Sequence, residues 1–532
     1  MTNSSELSVH FINSVLVTVV VALFVLWRYR QAILGGMMQG DSVALPLPGG
    51  TEQALAGWPG GDLPAREHAM RRRIAAAWLL TTAICGLPMA IAYMSVANMG
   101  LSPTYALGLT LCYMVAALPM IAVSLAWPTL RMVGAFVAMM LCCAALVLVA
   151  GMIERSIAGR PVSWRILGLI PLFGELVWNQ LWMAGLFWLM SWPVRLRGVV
   201  PITFAALLVF GFAPFAGSRL TAALAATEFG TPWVFTLGLN GVFVLIALPV
   251  GWLAWLRLRK LARDYEAKRF SDAQLLARTW WLMLVVTIGF DILIARERPV
   301  FALLLVAGEI LLFAPVNRWV LQRLGVVRGS EGRPAPTLLL LRVFGYTART
   351  ERLFDRVAAR WRLIGPVTMI AAPDVTARTI DAGDYLRWLT GRVDELFVTS
   401  RASLDAKLAG LDLNPDPDGR FRINEFCCRD STWQATVVEL MLRADAVIMD
   451  VRGITQARRG CEFELQQLAQ RLAPQRLVLV VDETTDRVVL QAAFGPSLGE
   501  VRLVEVRRSR EVDRAFSGLV DAVQAARTGK KA

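Results

Sequence analysis

The residues able to do chemistry are few and unevenly placed. Only two histidines occur, His10 and His68, and both precede residue 334. The rest of the chain has none, which excludes Ser-His-Asp and Cys-His catalysis there. Of the seven cysteines, Cys85, Cys112, Cys142 and Cys143 lie inside apolar runs, and Cys427, Cys428 and Cys461 fall after residue 334. No Cys or His spacing suits a metal, so no metal site is expected, and the vicinal Cys427-Cys428 reads as a pair of buried thiols. No G-x-x-x-x-G-K-[ST] loop is present. Chemistry after residue 334 therefore rests on carboxylates and arginines. One grouping of these is Asp450-Val451-Arg452-Gly453, followed by Arg458-Arg459-Gly460-Cys461-Glu462-Phe463-Glu464-Leu465.

The elements that must position these groups follow from apolar patterning. Short apolar runs at Leu338–Phe344, Val367–Ala372, Ala446–Val451, Leu477–Asp482 and Val501–Val506 read as strands. Amphipathic segments at Ala348–Leu363, Thr432–Arg443, Gly460–Leu472, Asp486–Phe494 and Glu511–Ala526 read as helices. Runs such as Leu338-Leu339-Leu340-Leu341 suit strands buried on both faces. The alternation predicts a parallel sheet with helices on both sides. Residues 374–431 break the repeat and read as a partly helical insertion with a turn at Asn414–Gly419. Ligands of such sheets bind outside the carboxyl ends of the strands, where strand order reverses. Phe344-Gly345-Tyr346, Ala372-Pro373-Asp374 and Asp450-Val451-Arg452-Gly453 belong there. Cys461, Leu465, Leu468, Ala469 and Leu472 form one apolar helix face, with Glu462 and Glu464 on its two sides near the helix start. Thr432 reads as an N-cap, and Trp433 as either a core anchor or a platform for a base.

The block Ala444-Asp445-Ala446-Val447-Ile448-Met449-Asp450, with Gly460-Cys461-Glu462-Phe463-Glu464-Leu465, resembles a motif of nucleoside 2-deoxyribosyltransferases. It is also similar to the strand and W-C-x-x-E-L helix of Toll/interleukin-receptor (TIR) domains, with Gly460 where those have tryptophan. The match covers about 22 residues. It implies a flavodoxin-like sheet and cleavage of an N-glycosidic bond in a nucleotide such as NAD, with NAD as substrate and no resident cofactor. On that resemblance Glu464 stabilises or traps the oxocarbenium ion. Asp450 holds ribose hydroxyls, Arg342, Arg452 or Arg458 meets phosphates, and Phe344, Gly345 and Gly460 complete the substrate-binding set. The same residues have a plain structural account. A glutamate in a first helical turn is favoured by the macrodipole, Asp450 can turn the loop after its strand, and Arg458-Arg459 can be a solvated pair.

Residues 1–333 are of another kind. The chain is 56% hydrophobic and 18% charged, with mean hydropathy +0.52, too apolar for a single water-soluble globule. The net charge of +14 divides into +11 before residue 334 and +3 after it. The excess thus accompanies the apolar residues, which points to cytoplasmic flanks of membrane helices and not to nucleic acid. Nine spans are read near residues 9–27, 74–97, 104–127, 132–152, 166–192, 199–216, 233–256, 280–295 and 300–317. With the N-terminus outside, the inner loops hold 16 Lys+Arg and the outer loops 6, so the carboxyl-terminal part is cytoplasmic. Residues 257–279 read as a basic helix lying on anionic lipid. Glu175, Asn179, Asn240, Asp291 and Glu309 lie inside spans, and an intramembrane carboxylate is by default a functional suspect. The division expected is a multi-pass membrane domain at 1–324, a linker at 325–336 and an α/β domain at 337–532. The membrane part resembles no known family. Three functions are carried forward: a membrane protein whose self-associating TIR-like domain binds or cleaves a nucleotide in signalling or defence, a non-enzymatic receptor or scaffold, and a transporter with a regulatory domain.

Overall fold

A computed structural model describes residues 20, 24, 27–38, 44–49, 62–97, 102–127, 129–157, 159, 227–229, 231–296, 299–326, 335–342, 348–371, 387–389, 391–455, 459–507 and 511–528. The first part is helical: α1 (Leu63–Ala97), α2 (Pro103–Val115), α3 (Leu118–Ser124), α4 (Thr129–Ile157), α5 (Thr231–Glu266), α6 (Asp272–Arg296) and α7 (Pro299–Arg323). Pro103 opens α2 behind the Ser102 cap, and Pro119 separates α3 from α2, since proline cannot donate to the preceding turn. α5 is broken at Gly238, whose φ is 70°. Three helical segments among the described residues are long and apolar enough to cross a membrane: Leu63–Met94, Pro103–Ser124 and Leu130–Glu154. They coincide with the expected spans at 74–97, 104–127 and 132–152. The expected spans at 233–256, 280–295 and 300–317 fall on α5, α6 and α7. Those at 166–192 and 199–216, and most of 9–27, lie outside the described residues.

Residues 257–279 are not the separate surface helix expected. They are the end of α5, a tight turn and the start of α6; Arg259, Lys260, Arg263 and Arg269 are exposed, while Lys268 pairs with Asp412 and donates to the Asn414 carbonyl at 2.6 Å. Lys268 thus reaches the second part, whereas Arg269 pairs with Asp264 of α5.

That second part is a seven-stranded, wholly parallel sheet in the order β3-β4-β2-β1-β5-β6-β7. The strands are β1 (Leu338–Arg342), β2 (Val367–Ala371), β3 (Phe397–Val398), β4 (Ile423–Cys428), β5 (Ala446–Asp450), β6 (Leu477–Val481) and β7 (Arg502–Glu505). All five expected strands are present. The expected insertion supplies two more, β3 and β4, which extend the sheet beyond β2, and a helix, α9 (Arg401–Ala409). These strands escape a period-based reading because β3 has two residues and β4 (Ile-Asn-Glu-Phe-Cys-Cys) begins with half-buried polar ones.

The side chains of each strand alternate between the two layers. Leu338, Leu340, Ala446, Ile448, Val478 and Val480 pack under α8 (Ala348–Trp361) and α13 (Val512–Thr528). Leu339, Leu341, Val447, Met449, Leu477 and Leu479 pack under α10 (Trp433–Arg443), α11 (Arg459–Arg471) and α12 (Arg487–Phe494). Entry to β1 needs a glycine opposite it: a Cβ on Gly365 would lie 2.0 Å from the Pro336 carbonyl oxygen. The chain leaves β1 toward β2 on one side and returns from β4 to β5 on the other. The switch in winding therefore lies between β1 and β5, with Arg342 in register beside Asp450.

Candidate functional site

Three elements bring charged groups to the carboxyl ends of β1 and β5. β1 ends in Arg342, which is buried. β5 ends in Asp450, and the chain turns at once through Val451, Arg452 and Gly453, the glycine with φ 69°. The Val451 N–H donates to the Val480 carbonyl of β6 at 3.0 Å, which holds this turn against the sheet. α11 then carries Glu464 back over the strand ends.

Glu464 is 1% exposed, and among the described residues nothing donates a hydrogen bond to its Oε2. Burial pushes its carboxyl up to about 8, while the positive charge of Arg342 pulls the other way. Desolvation wins. Glu462 is exposed; the two carboxylates lie on opposite sides of the apolar stripe, and the packing around the helix decides which is buried. Glu464 lies in the second turn of α11, not the first; the first-turn acid is Glu462. A favourable interaction with the macrodipole therefore belongs to Glu462 and does not account for the buried carboxyl.

Asp450 and Arg452, the residues that the resemblance gives to ribose and phosphate, are paired with each other. Arg452 donates to Asp450 from Nε at 2.8 Å and from an Nη at 2.7 Å. Its backbone N–H also points at Asp450 Oδ1. A further Nη donates to the Val506 carbonyl at 3.2 Å, and both residues are buried. This bidentate pair staples the turn after β5 to the end of β7. The sequence signal was the D-x-R spacing, which lets a guanidinium fold back over a carboxylate two residues earlier.

Trp433, at the start of α10, is half-buried and meets Phe463 edge-to-face, with centroids 5.5 Å apart and planes at 81°. Gly460 lies under it: a Cβ there would come within 3.7 Å of the indole. Thr432 stands at the N-cap position but does not cap. Its hydroxyl donates to the Val398 carbonyl at 2.8 Å and accepts the Arg429 N–H at 3.1 Å. Cys427 and Cys428 end β4 as buried thiols in no disulfide, and Cys461 is buried on α11. Phe344, Gly345, Tyr346, Asp374 and Arg458 lie outside the described residues. Among the described residues no three His, Cys, Asp or Glu side chains come together as a metal site would require.

Of the polar residues in the helical part, Glu309 is buried in α7, and among the described residues its Oε2 has no hydrogen-bond donor. Glu175 and Asn179, and the side chains of Asn240 and Asp291, lie outside the described residues. Compared with family models, curated proteins and solved structures, the chain finds no match. The geometry alone must carry the functional reading. It provides a desolvated carboxyl and a buried guanidinium at the switch of a parallel sheet.

Proposed function

We propose that the chain is a multi-pass membrane protein, N-terminus outside, whose cytoplasmic α/β domain is a TIR-like, flavodoxin-type module acting on the N-glycosidic bond of a nucleotide such as NAD. One observation carries the reading: Glu464 is sealed at the winding switch with an unbonded oxygen and Arg342 as the neighbouring charge. A buried carboxyl kept protonated at neutral pH ionises when a positive group arrives beside it. A pyridinium ribosyl group brings that charge. As the C1′–N bond breaks, its electron pair leaves with the base and positive charge builds on the ribosyl ring. The Glu464 carboxylate stabilises that charge until water adds at C1′ and loses a proton.

The test uses the full chain in lipid nanodiscs at high protein density, with NAD and a panel of nucleosides, assayed for released base. Wild type releases base; Glu464→Gln keeps the shape and loses release; Glu462→Gln, exposed on α11, retains it. Equal release by wild type and Glu464→Gln overturns the assignment of Glu464. A second reading, a scaffold that only makes protein contacts, is favoured by the Asp450–Arg452 pair, whose charged atoms are spent on each other. Absence of release by wild type at every density tested supports that reading.

A further inference from the structure

The two parts of the chain meet through an unbroken chain of buried hydrogen bonds. It begins inside the helices, where Asn317 of α7 donates to Thr81 of α1 at 3.2 Å. Gln274 of α6 donates to Asn317 at 3.1 Å. Ser271, capping α6, gives its N–H to Gln274 Oε1 at 3.0 Å and its hydroxyl to Asp418 of the inserted loop at 2.7 Å. Arg420 then donates to Asp418 at 2.8 Å and back to Asp272 of α6 at 2.7 Å. Thr81, Asn317, Gln274, Ser271, Asp418 and Arg420 are all buried.

We propose that the loop 412–422 is the coupling element of the protein, passing a rearrangement among α1, α6 and α7 to the strand β4 and onward to the start of α10. Three features support this. First, an apolar contact can slide, whereas a desolvated chain of directional bonds ending on an arginine held by two aspartates has few alternative arrangements. Second, the loop is seated without slack: Gly419 has φ 80°, and a Cβ there would lie 2.7 Å from a Val326 methyl group. Third, the loop leads straight into β4, which pairs with β2 over five residues and ends at Cys428. The next residues are the Arg429–Thr432 turn and Trp433, which faces Gly460 of the glutamate-bearing helix. The path thus joins the helical part to the candidate site. The coupling itself does not depend on what that site does.

Hydrogen–deuterium exchange of the full chain in nanodiscs tests the idea. Asn317→Leu cuts the chain within the helices and leaves every residue of the α/β part unchanged. Amides of residues 423–433 should then exchange at least about fivefold faster, within the range of ordinary coupling between sites, while β6 and β7 stay as in wild type. Thr81→Val removes one hydroxyl and should act in the same direction, which guards against misfolding of the first variant. In reverse, Asp418→Asn should speed exchange in residues 271–281, because coupling is reciprocal. Changes confined to the immediate neighbours of each substituted side chain would overturn the proposal.

Discussion

The buried carboxyl of Glu464 makes a pH-dependent contribution to stability whose sign and slope follow from its surroundings. In the folded protein burial raises it from 4.5 to about 8; in the unfolded chain it titrates as an ordinary glutamate. Below about pH 4.5 both states carry the proton and the group has no effect on the balance. As pH rises from there, the unfolded chain ionises while the folded one holds its proton, so unfolding becomes easier by about 1.4 kcal/mol per pH unit. The loss reaches roughly 3 kcal/mol at pH 7 and levels off near 5 kcal/mol above pH 8, where both states are ionised. Glu464→Gln lacks this titration, so the stability difference between the two proteins should follow that curve whatever the fixed cost of the amide. The buried thiol of Cys461, three residues away on α11, reports opening of this helix. Its labelling by an aromatic disulfide in full-length protein, normalised to the denatured chain at each pH, yields the opening free energy. Parallel profiles for wild type and Glu464→Gln from pH 5 to 9 would mean that the folded carboxyl is already ionised and closed on Arg342. The site would then be a finished ion pair, and the reasoning for an acceptor waiting for a cation would fail.

Other outcomes are equally specific. Reporter fusions after residues 60, 270 and 532 should all report cytoplasm; residues 270 and 532 must agree in any case, because Lys268 is paired with Asp412, and an external signal at 532 would reverse the orientation. Asp450→Asn or Arg452→Met should each destabilise the protein by about 3–5 kcal/mol, because each leaves a buried partner unsatisfied. In the double variant most of that loss should be recovered in a denaturation midpoint; simple additivity would contradict a closed structural pair. Gly419→Ala should cost about 2 kcal/mol or more, from the left-handed backbone and the encounter with Val326 together. Gly391→Ala, with φ 78° but nothing within 4 Å, should cost only about 1 kcal/mol of backbone strain, and equal melting of the two variants would show that the loop is not tightly seated.

Much of the architecture is legible in local order. Runs such as Leu338–Leu341 and Leu477–Val481 are short and apolar at every position, which suits a strand covered on both faces, and both are fully buried strands. The stripe Cys461, Leu465, Leu468 on α11 indicated the buried face and set Glu462 and Glu464 on opposite sides of it, because helical periodicity is a property of neighbours in sequence. By itself the sequence determined the helical first part, the five principal strands and the helices between them. Other features depended on residues far apart in the chain. β3 and β4 acquire their place by pairing with each other and with β2, which compensates for their weak local patterns. Arg420 looks like a loop arginine until Asp272, 148 residues earlier, is brought to 2.7 Å. Glu464 looks like any helical glutamate until the strand ends close over it and leave one oxygen without a donor. Tertiary structure decided these, because desolvation and charge pairing depend on what surrounds a group in space, and period and propensity record only what precedes and follows it along the chain.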